Sequence, residues 1–292
     1  MDFRERMNAA LTYIEENLTG EIDYAQAAKQ AGCSEYHFSR MFAFLAGQSL
    51  SGYIRRRRLS LAALRLRDYH SSLLDLAVLY GYSSVDAFTR AFKELHGLPP
   101  SQVQNIPEAV KLYPRITFNL TVQGGQEMTY RIIEKQAFRI IGIKKTVGLV
   151  YQGPNPEIDA MWQSLTQEQI HRWKGLSDQE PRGIISASTN FSEDRMEGSG
   201  SLDQYIGVAT TAFTAPGDAV LEVPESKWAI FESIGPFPET LQTIWGRIYS
   251  EWFSSVPYEL APGPEILWNE QPDTTMPQFR SEIWIPVRES VE

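Results

Sequence analysis

Residues 32–42, Gly32-Cys33-Ser34-Glu35-Tyr36-His37-Phe38-Ser39-Arg40-Met41-Phe42, are echoed fifty residues later by Gly81-Tyr82-Ser83-Ser84-Val85-Asp86-Ala87-Phe88-Thr89-Arg90-Ala91-Phe92. From Phe38 onward the offset is constant, pairing Phe38 with Phe88, Arg40 with Arg90, Phe42 with Phe92 and Gly47 with Gly97. A copy that preserves both apolar spacing and turn constrains the fold more than any single motif. Each copy reads as a helix, a Gly-containing turn and a second helix. Two Phe four apart lie on its buried face, and an Arg stands on the side turned away from them. That layout offers the polar face of the second helix to a DNA major groove, twice in one chain.

The periodicity predicts helices at about Phe3–Leu18, Tyr24–Ala31, Ser34–Leu45, Leu50–Leu66, Leu73–Tyr80 and Val85–Leu95. Ser34 and Ser84 stand at N-cap positions, and Gly97 with Pro99-Pro100 closes the run. Phe38, Phe42 and Leu45 are expected to face inward, leaving Tyr36, His37, Ser39 and Arg40 on the outer sides. In the second copy Phe88, Phe92 and Leu95 face inward, leaving Val85, Asp86, Thr89 and Arg90. Arginine can donate two hydrogen bonds to guanine, so Arg40 and Arg90 are the natural base readers. His37 suits a phosphate contact or a plain surface group better than a specific reader.

A net charge of −9 over 292 residues looks wrong for a DNA binder until the chain is divided. Residues 1–107 carry 12 Lys and Arg against 11 Asp and Glu, a balance of +1; residues 108–292 carry 15 against 25, a balance of −10. DNA binding must therefore rest on local basic patches in the first half. The run Arg55-Arg56-Arg57-Arg58 is one, either a solvated helix face or a phosphate contact. The single Cys33 excludes an intramolecular disulfide, and neither a signal segment nor a run of eighteen apolar residues is present. A cytoplasmic protein of two domains is expected, with no membrane association, metal or cofactor.

Beyond a linker expected at 108–127 the texture changes. Short alternating segments at Tyr130–Ile133, Arg139–Thr146, Ile184–Ala187, Gln204–Thr211, Trp228–Ile234, Glu265–Asn269 and Glu282–Val287 read as strands. Helical spacing covers about Pro156–Trp173 and Pro238–Phe253. The fold class expected is thus α+β multidomain, an all-α double helix-turn-helix at residues 1–107 followed by an antiparallel-sheet domain at 128–292. All seven tryptophans, Trp162, Trp173, Trp228, Trp245, Trp252, Trp268 and Trp284, lie in that second half. Some serve the core, yet their number beside Tyr130, Tyr205, Phe231, Phe237 and Tyr249 suggests a pocket for a flat or greasy ligand. The half holds one histidine, His171, and no cysteine, which removes Cys/His metal sites and Cys-His nucleophile pairs. No spacing singles out a carboxylate pair, so catalysis is not expected.

Residues 1–107 resemble the DNA-binding domain of the AraC/XylS family of bacterial transcription regulators. The resemblance is carried by Ala28, Ala31-Gly32-Cys33-Ser34, Phe38-Ser39-Arg40-Met41-Phe42, Gly47-Gln48-Ser49, Tyr53-Ile54 and Arg57-Leu59, in that order. In the second unit it is carried by Ala77, Gly81-Tyr82-Ser83, Phe88-Thr89-Arg90-Ala91-Phe92-Lys93 and Gly97-Leu98-Pro99-Pro100. After Ser101 the chain departs from the usual aromatic and Arg with Gln102-Val103-Gln104. The resemblance implies DNA contacts at Tyr36, Ser39 and Arg40, then at Val85, Asp86, Thr89 and Arg90, with Lys93 one turn further. Asp86 would accept only from cytosine or adenine amino groups.

The second half is similar to the GyrI-like effector-binding domain, through Pro224, Trp228-Ala229-Ile230-Phe231, Gly235-Pro236, the Trp245 to Trp252 helix, Gly263-Pro264-Glu265 and Glu282-Ile283-Trp284-Ile285-Pro286-Val287. The resemblance implies two pseudo-symmetric strand-helix-strand-strand units around a ligand cleft. Members often place a Glu in the strand after Gly-Pro; that position is Leu267 here, with Glu265 one pleat earlier on the same face. Trp228, Phe231, Trp245, Trp252, Glu265, Leu267, Trp268 and Trp284 are the candidate effector-binding residues. The expected partners are a double-stranded DNA operator, an aromatic or lipophilic effector, and RNA polymerase if the protein activates. A domain that binds a protein partner, or that sequesters or hydrolyses a toxic small molecule, is the alternative.

Overall fold

The computed structural model describes residues 3–68, 71–119, 128–150, 155–193, 200–213 and 217–289. Its described residues fall into two compact units, a helical one up to Asn119 and a sheet one from Met128.

The helical unit contains α1 (Phe3–Glu16), α2 (Tyr24–Ala31), α3 (Glu35–Ala46), α4 (Leu50–Asp68), α5 (Leu73–Leu79) and α6 (Val85–His96). Ser34 Oγ accepts from the His37 amide and Ser84 Oγ from the Ala87 amide, so both repeated helices start on the same cap. Both end on a glycine in left-handed backbone, Gly47 at φ 62° and Gly97 at φ 82°, where a side chain would be strained. Phe38, Phe42, Phe88 and Phe92 are all fully buried. Each pair forms a tilted ring contact, at 6.4 Å and 5.7 Å between centroids.

The four consecutive arginines of α4, Arg55 to Arg58, are bonded inside this unit. Arg55 pairs with Glu94 at 2.6 Å, and Arg56 donates to Gln48 and lies over the Tyr113 ring. Arg57 forms a fork on Glu15, and Arg58 donates to the Leu18 and Gly20 carbonyls. Each of the four thus has a partner within the helical unit, and Arg56 is exposed besides.

The segment expected to be a linker also belongs here in its described part. Tyr113 accepts from Arg57 through its carbonyl and donates its amide to Ser60 Oγ. The Ile116 amide donates to Tyr53, Asn8 exchanges two hydrogen bonds with Phe118, and the Phe118 ring meets Phe42 edge-on at 6.0 Å. Residues 110–119 are thus an extended strap on α1, α3 and α4; residues 120–127 of the expected linker lie outside the described residues.

The sheet unit is one antiparallel sheet in the order β1-β6-β9-β8-β3-β4-β2-β5, with β7 paired to β9. Its strands are β1 (Tyr130–Lys135), β2 (Phe138–Gly148), β3 (Ile185–Glu193), β4 (Gly200–Thr210), β5 (Ala219–Val223), β6 (Ser226–Gly235), β7 (Tyr258–Leu260), β8 (Glu265–Asn269) and β9 (Phe279–Glu289). The order is symmetric about the β8–β3 junction. β1 leads into β2 but pairs with β6, and β5 leads into β6 but pairs with β2. Two similar halves thus exchange edge strands. β5 and β7, absent from the sequence reading, are five and three residues long, too short to show clear alternation.

The expected helix 156–173 is two, α7 (Pro156–Gln163) and α8 (Gln167–Leu176), because Thr166 begins a new capping box with Gln169. The expected helix 238–253 is α9 (Glu239–Arg247), a π-helical stretch (Ile248–Trp252) and a short α10 (Phe253–Ser255). On one side of the sheet Phe138, Ile140, Ile185, Tyr205, Trp228, Ile230, Ile266 and Trp284 form a core. Phe138 of β2 meets Trp228 of β6 at 6.1 Å although four strands separate them, so the sheet curls around this core. The helices occupy the other side, where Met161 of α7 packs with Val147, Leu202 and Ile206.

Candidate functional site

Equivalent positions of the two repeated helices differ in exposure. On α6, Asp86, Arg90 and Lys93 are exposed and Val85 and Thr89 half-buried, which presents one continuous polar edge. On α3, Tyr36 and Ser39 are half-buried, but Arg40 is only 9% exposed and His37 3%. The Arg40 guanidinium sits 5.4 Å from the centroid of Phe44, one turn on. His37 and Arg40, expected on the outer sides, are therefore inside. Phe44, an aromatic four residues after Arg40, is one group on which that cation is stabilised. The second copy has Glu94 there, bonded to Arg55 instead.

The sheet unit sorts the candidate effector residues by face. Glu265 and Leu267 lie on the helix-bearing side, across from Ser188 and Ser186 of β3. Phe231 joins them there through Ile283, its partner on β9 and also that of Leu267. The helical stretch contributes Tyr249, whose hydroxyl donates to Glu265 Oε1 at 2.9 Å. Glu265 is 3% exposed, a carboxyl placed deep and held by a neutral donor. Beside it Trp252 meets Phe231 at 4.9 Å and Tyr130 at 5.4 Å, both edge-on, and stacks flat on Tyr258 at 6.0 Å. The indole Nε1 atoms of Trp245 and Trp252 are buried without a hydrogen-bond partner. Buried donors of this kind normally find acceptors, and Trp228 Nε1, on the opposite side of the sheet, is left in the same state. The π-helical stretch widens the turn that brings Tyr249 and Trp252 over the sheet.

Trp228, Trp268 and Trp284 are on the opposite side. Trp228 and Trp284 are core residues in edge-on contact at 6.2 Å. Trp284 donates to Glu282, which is also held by Arg131 and Arg280. Trp268 donates to the Arg182 carbonyl. The sequence did contain this signal, because residues three apart on a strand, such as Glu265 and Trp268, point to opposite faces. Sequence reasoning missed Tyr249 as the partner of Glu265, and missed Ser186, Ser188 and Gln204, which no local pattern marks.

Among the described residues no group of three His, Cys, Asp or Glu is placed to hold a metal, and no helix is long and apolar enough to cross a membrane. His171 is exposed.

Residues 128–288 match the GyrI-like small molecule binding domain, and residues 27–106 match a helix-turn-helix domain. The chain belongs to the GyrI-like family through its sheet unit and to the AraC-type helix-turn-helix proteins through its helical unit. Multiple antibiotic resistance protein MarA of Escherichia coli strain K12 is 34% identical over 94 residues, covering 32% of this chain and 74% of MarA. The Right origin-binding protein of the same organism is 37% identical over 98 residues, covering 34% of each. The chain thus spans about a third of the length of that relative. A solved protein bound to tetraphenylphosphonium covers 55% of this chain and 94% of its own, at 22% identity and a TM-score of 0.44.

Proposed function

We propose that this protein is a sequence-specific, DNA-binding transcription regulator whose activity is set by an aromatic or lipophilic small molecule held in its sheet unit. One observation carries the reading: two equivalently capped helices of helix-turn-helix type share a chain with a buried carboxyl under an aromatic shelf. Asp86, Thr89, Arg90 and Lys93 of α6 are presented to a groove as they stand, with Arg90 suited to guanine. For α3 to read bases, Arg40 must leave Phe44, whereas Tyr36 and Ser39 need less movement. Operator DNA and the effector are the two partners, RNA polymerase a third if the protein activates. The protein acts in the cytoplasm and carries out no chemistry of its own. Glu265, Tyr249, Phe231, Trp245, Trp252 and Leu267 bind the effector, and Glu265 gives the site a preference for cations.

Coupling between the two ligands is reciprocal, so effector must change operator affinity by the same factor that operator changes effector affinity. A gel-shift titration with operator fragments, repeated with a lipophilic cation, tests both halves. Loss of sequence preference would remove the DNA reading. Tryptophan fluorescence unaltered by any lipophilic ligand would favour a protein-binding sheet unit.

A further inference from the structure

Beside Glu265 the polar groups have a fixed direction. Gln204 of β4 is fully buried, and its Nε2 lies 3.0 Å from the Tyr205 carbonyl oxygen. A carbonyl only accepts, so this contact sets the amide orientation. Nε2 donates a second bond to Ser186 Oγ at 2.8 Å, and Oε1 therefore accepts from Ser188 Oγ, also at 2.8 Å. The Ser188 hydroxyl proton is thus committed to Gln204. What Ser188 presents to the helix-bearing side is lone pairs.

Ser188 and Glu265 are directly paired across β3 and β8. Such partners have their Cβ atoms roughly 4.5–5.5 Å apart on a shared face. Ser188 is half-buried, open enough to meet a ligand. Tyr249 already donates its proton to the carboxylate. The wall at this point is therefore an acceptor wall, one anionic group and one neutral oxygen. A cation without N–H groups meets the charge but leaves Ser188 facing carbon, whereas a protonated amine can donate to both oxygens at once.

We infer that the site selects lipophilic cations bearing N–H donors, protonated aryl-alkyl amines above all, over quaternary cations of the same shape. The inference rests on the effector site proposed above and adds to it the hydrogen-bond polarity that Gln204 imposes. Ser188 is a specificity-determining residue, and Gln204 is the positioning residue that turns it.

The test uses the full chain at neutral pH with three probes: 2-(2-naphthyl)ethylamine, its N,N,N-trimethylammonium derivative and neutral 2-ethylnaphthalene. Calorimetry or tryptophan quenching should give the amine at least about tenfold tighter binding than the quaternary probe, the size of one hydrogen bond to a charged group. Ser188→Ala should cut the amine's advantage over the quaternary probe at least about threefold, leaving the part owed to the N–H bond on Glu265, while the affinity of 2-ethylnaphthalene stays unchanged. Ser188→Thr, which keeps the hydroxyl, should retain the preference. Equal affinity of amine and quaternary probe in the wild type would overturn the inference and leave the cationic site standing. Failure of all three to bind would remove the site, and the inference with it.

Discussion

The two helix-turn-helix copies are alike where they face inward and unlike where they face outward. Phe38 and Phe88, Phe42 and Phe92, and the capping pair Ser34 and Ser84 hold the same places in both. Arg40 and Arg90 occupy matching positions too, yet one is folded onto Phe44 and the other is exposed. A repeat transmits its apolar frame because packing permits little else, as buried aromatic volume cannot be moved without cost. Its polar face obeys no such rule. The arginine of the first copy has the Phe44 ring one turn on, where the second copy has Glu94. Equivalent sequence positions therefore predict equivalent backbones and only sometimes equivalent surfaces.

The largest effect should come from the shared frame. Phe42→Ala and Phe92→Ala should each destabilise the helical unit by about 3–5 kcal/mol, the usual cost of emptying a buried Phe site. Hydrogen exchange at the amides of α3 and α6 would read the two copies separately. A loss in one copy several-fold larger than in the other would show that the frames are not equivalent.

Next come the arginines, where the copies should part. Arg90→Ala should weaken specific operator binding by about 1–3 kcal/mol, with random DNA much less affected. Arg40→Ala should first lower thermal stability, by about 0.5–2 kcal/mol, as the contact of a buried guanidinium with Phe44 is lost. If Arg40→Ala instead matches Arg90→Ala in sequence-selective loss, Arg40 swings out on DNA and both copies read. Footprinting sharpens this, since two reading helices protect segments roughly 34 Å apart from one protomer.

The sheet unit offers a similar contrast between its two sides. Glu265→Gln should weaken a lipophilic amine by about 1–3 kcal/mol and a neutral analogue far less, because only the cation faces the lost charge. Operator binding without effector should not change. Trp284→Phe, on the other side, should leave the ratio of the two ligands intact while disturbing the bond to Glu282. A shift in that ratio would place Trp284 in the site after all.

How much of this was legible depended on periodicity. The six helices of the first half followed from Phe and Gly spacing, and the strands around Glu265 and Glu282 from alternation. The break at Ser164 was hidden because Leu165 continues the apolar spacing of α7, so only the cap at Thr166 betrays it. Arg55–Arg58 looked like a surface patch because their acceptors Glu15 and the Leu18 carbonyl lie far before them in the chain and Glu94 far after. The Glu265 neighbourhood is distributed in the same way. Ser188 and Gln204 reach each other across adjacent strands, and Tyr249 arrives from a helix whose π-helical stretch shifts its register. Sequence spacing records the side of an element that packs locally; a hydrogen bond between elements leaves no period behind it.

The smallest expected effect returns to the two copies, through a histidine that only one of them has. His96 ends α6, and its counterpart at the end of α3 is Ala46. The ring is buried against Phe92, accepts from the Lys111 amide at Nδ1 and faces the Leu59 carbonyl with Nε2. With Nδ1 accepting, the proton belongs on Nε2 and the ring is neutral. Burial holds its pKa below the ordinary 6.5, and the nearby Lys111 charge acts in the same direction. Protons therefore bind the unfolded chain more readily than the folded one as pH falls below about 6.5, so this contribution to stability is full above that value and is lost through the acid range beneath it. Asp203 of the sheet unit, held down to about 2 by Asn190, Lys144 and Thr146, begins to lose its contribution only below 3.8. Thermal melts followed by helical circular dichroism between pH 7 and 5 should show a falling melting temperature, and His96→Gln should flatten the slope without reversing it. A slope unchanged in His96→Gln would mean that another group drives it, and the asymmetry between the two copies would then lie only in Arg40.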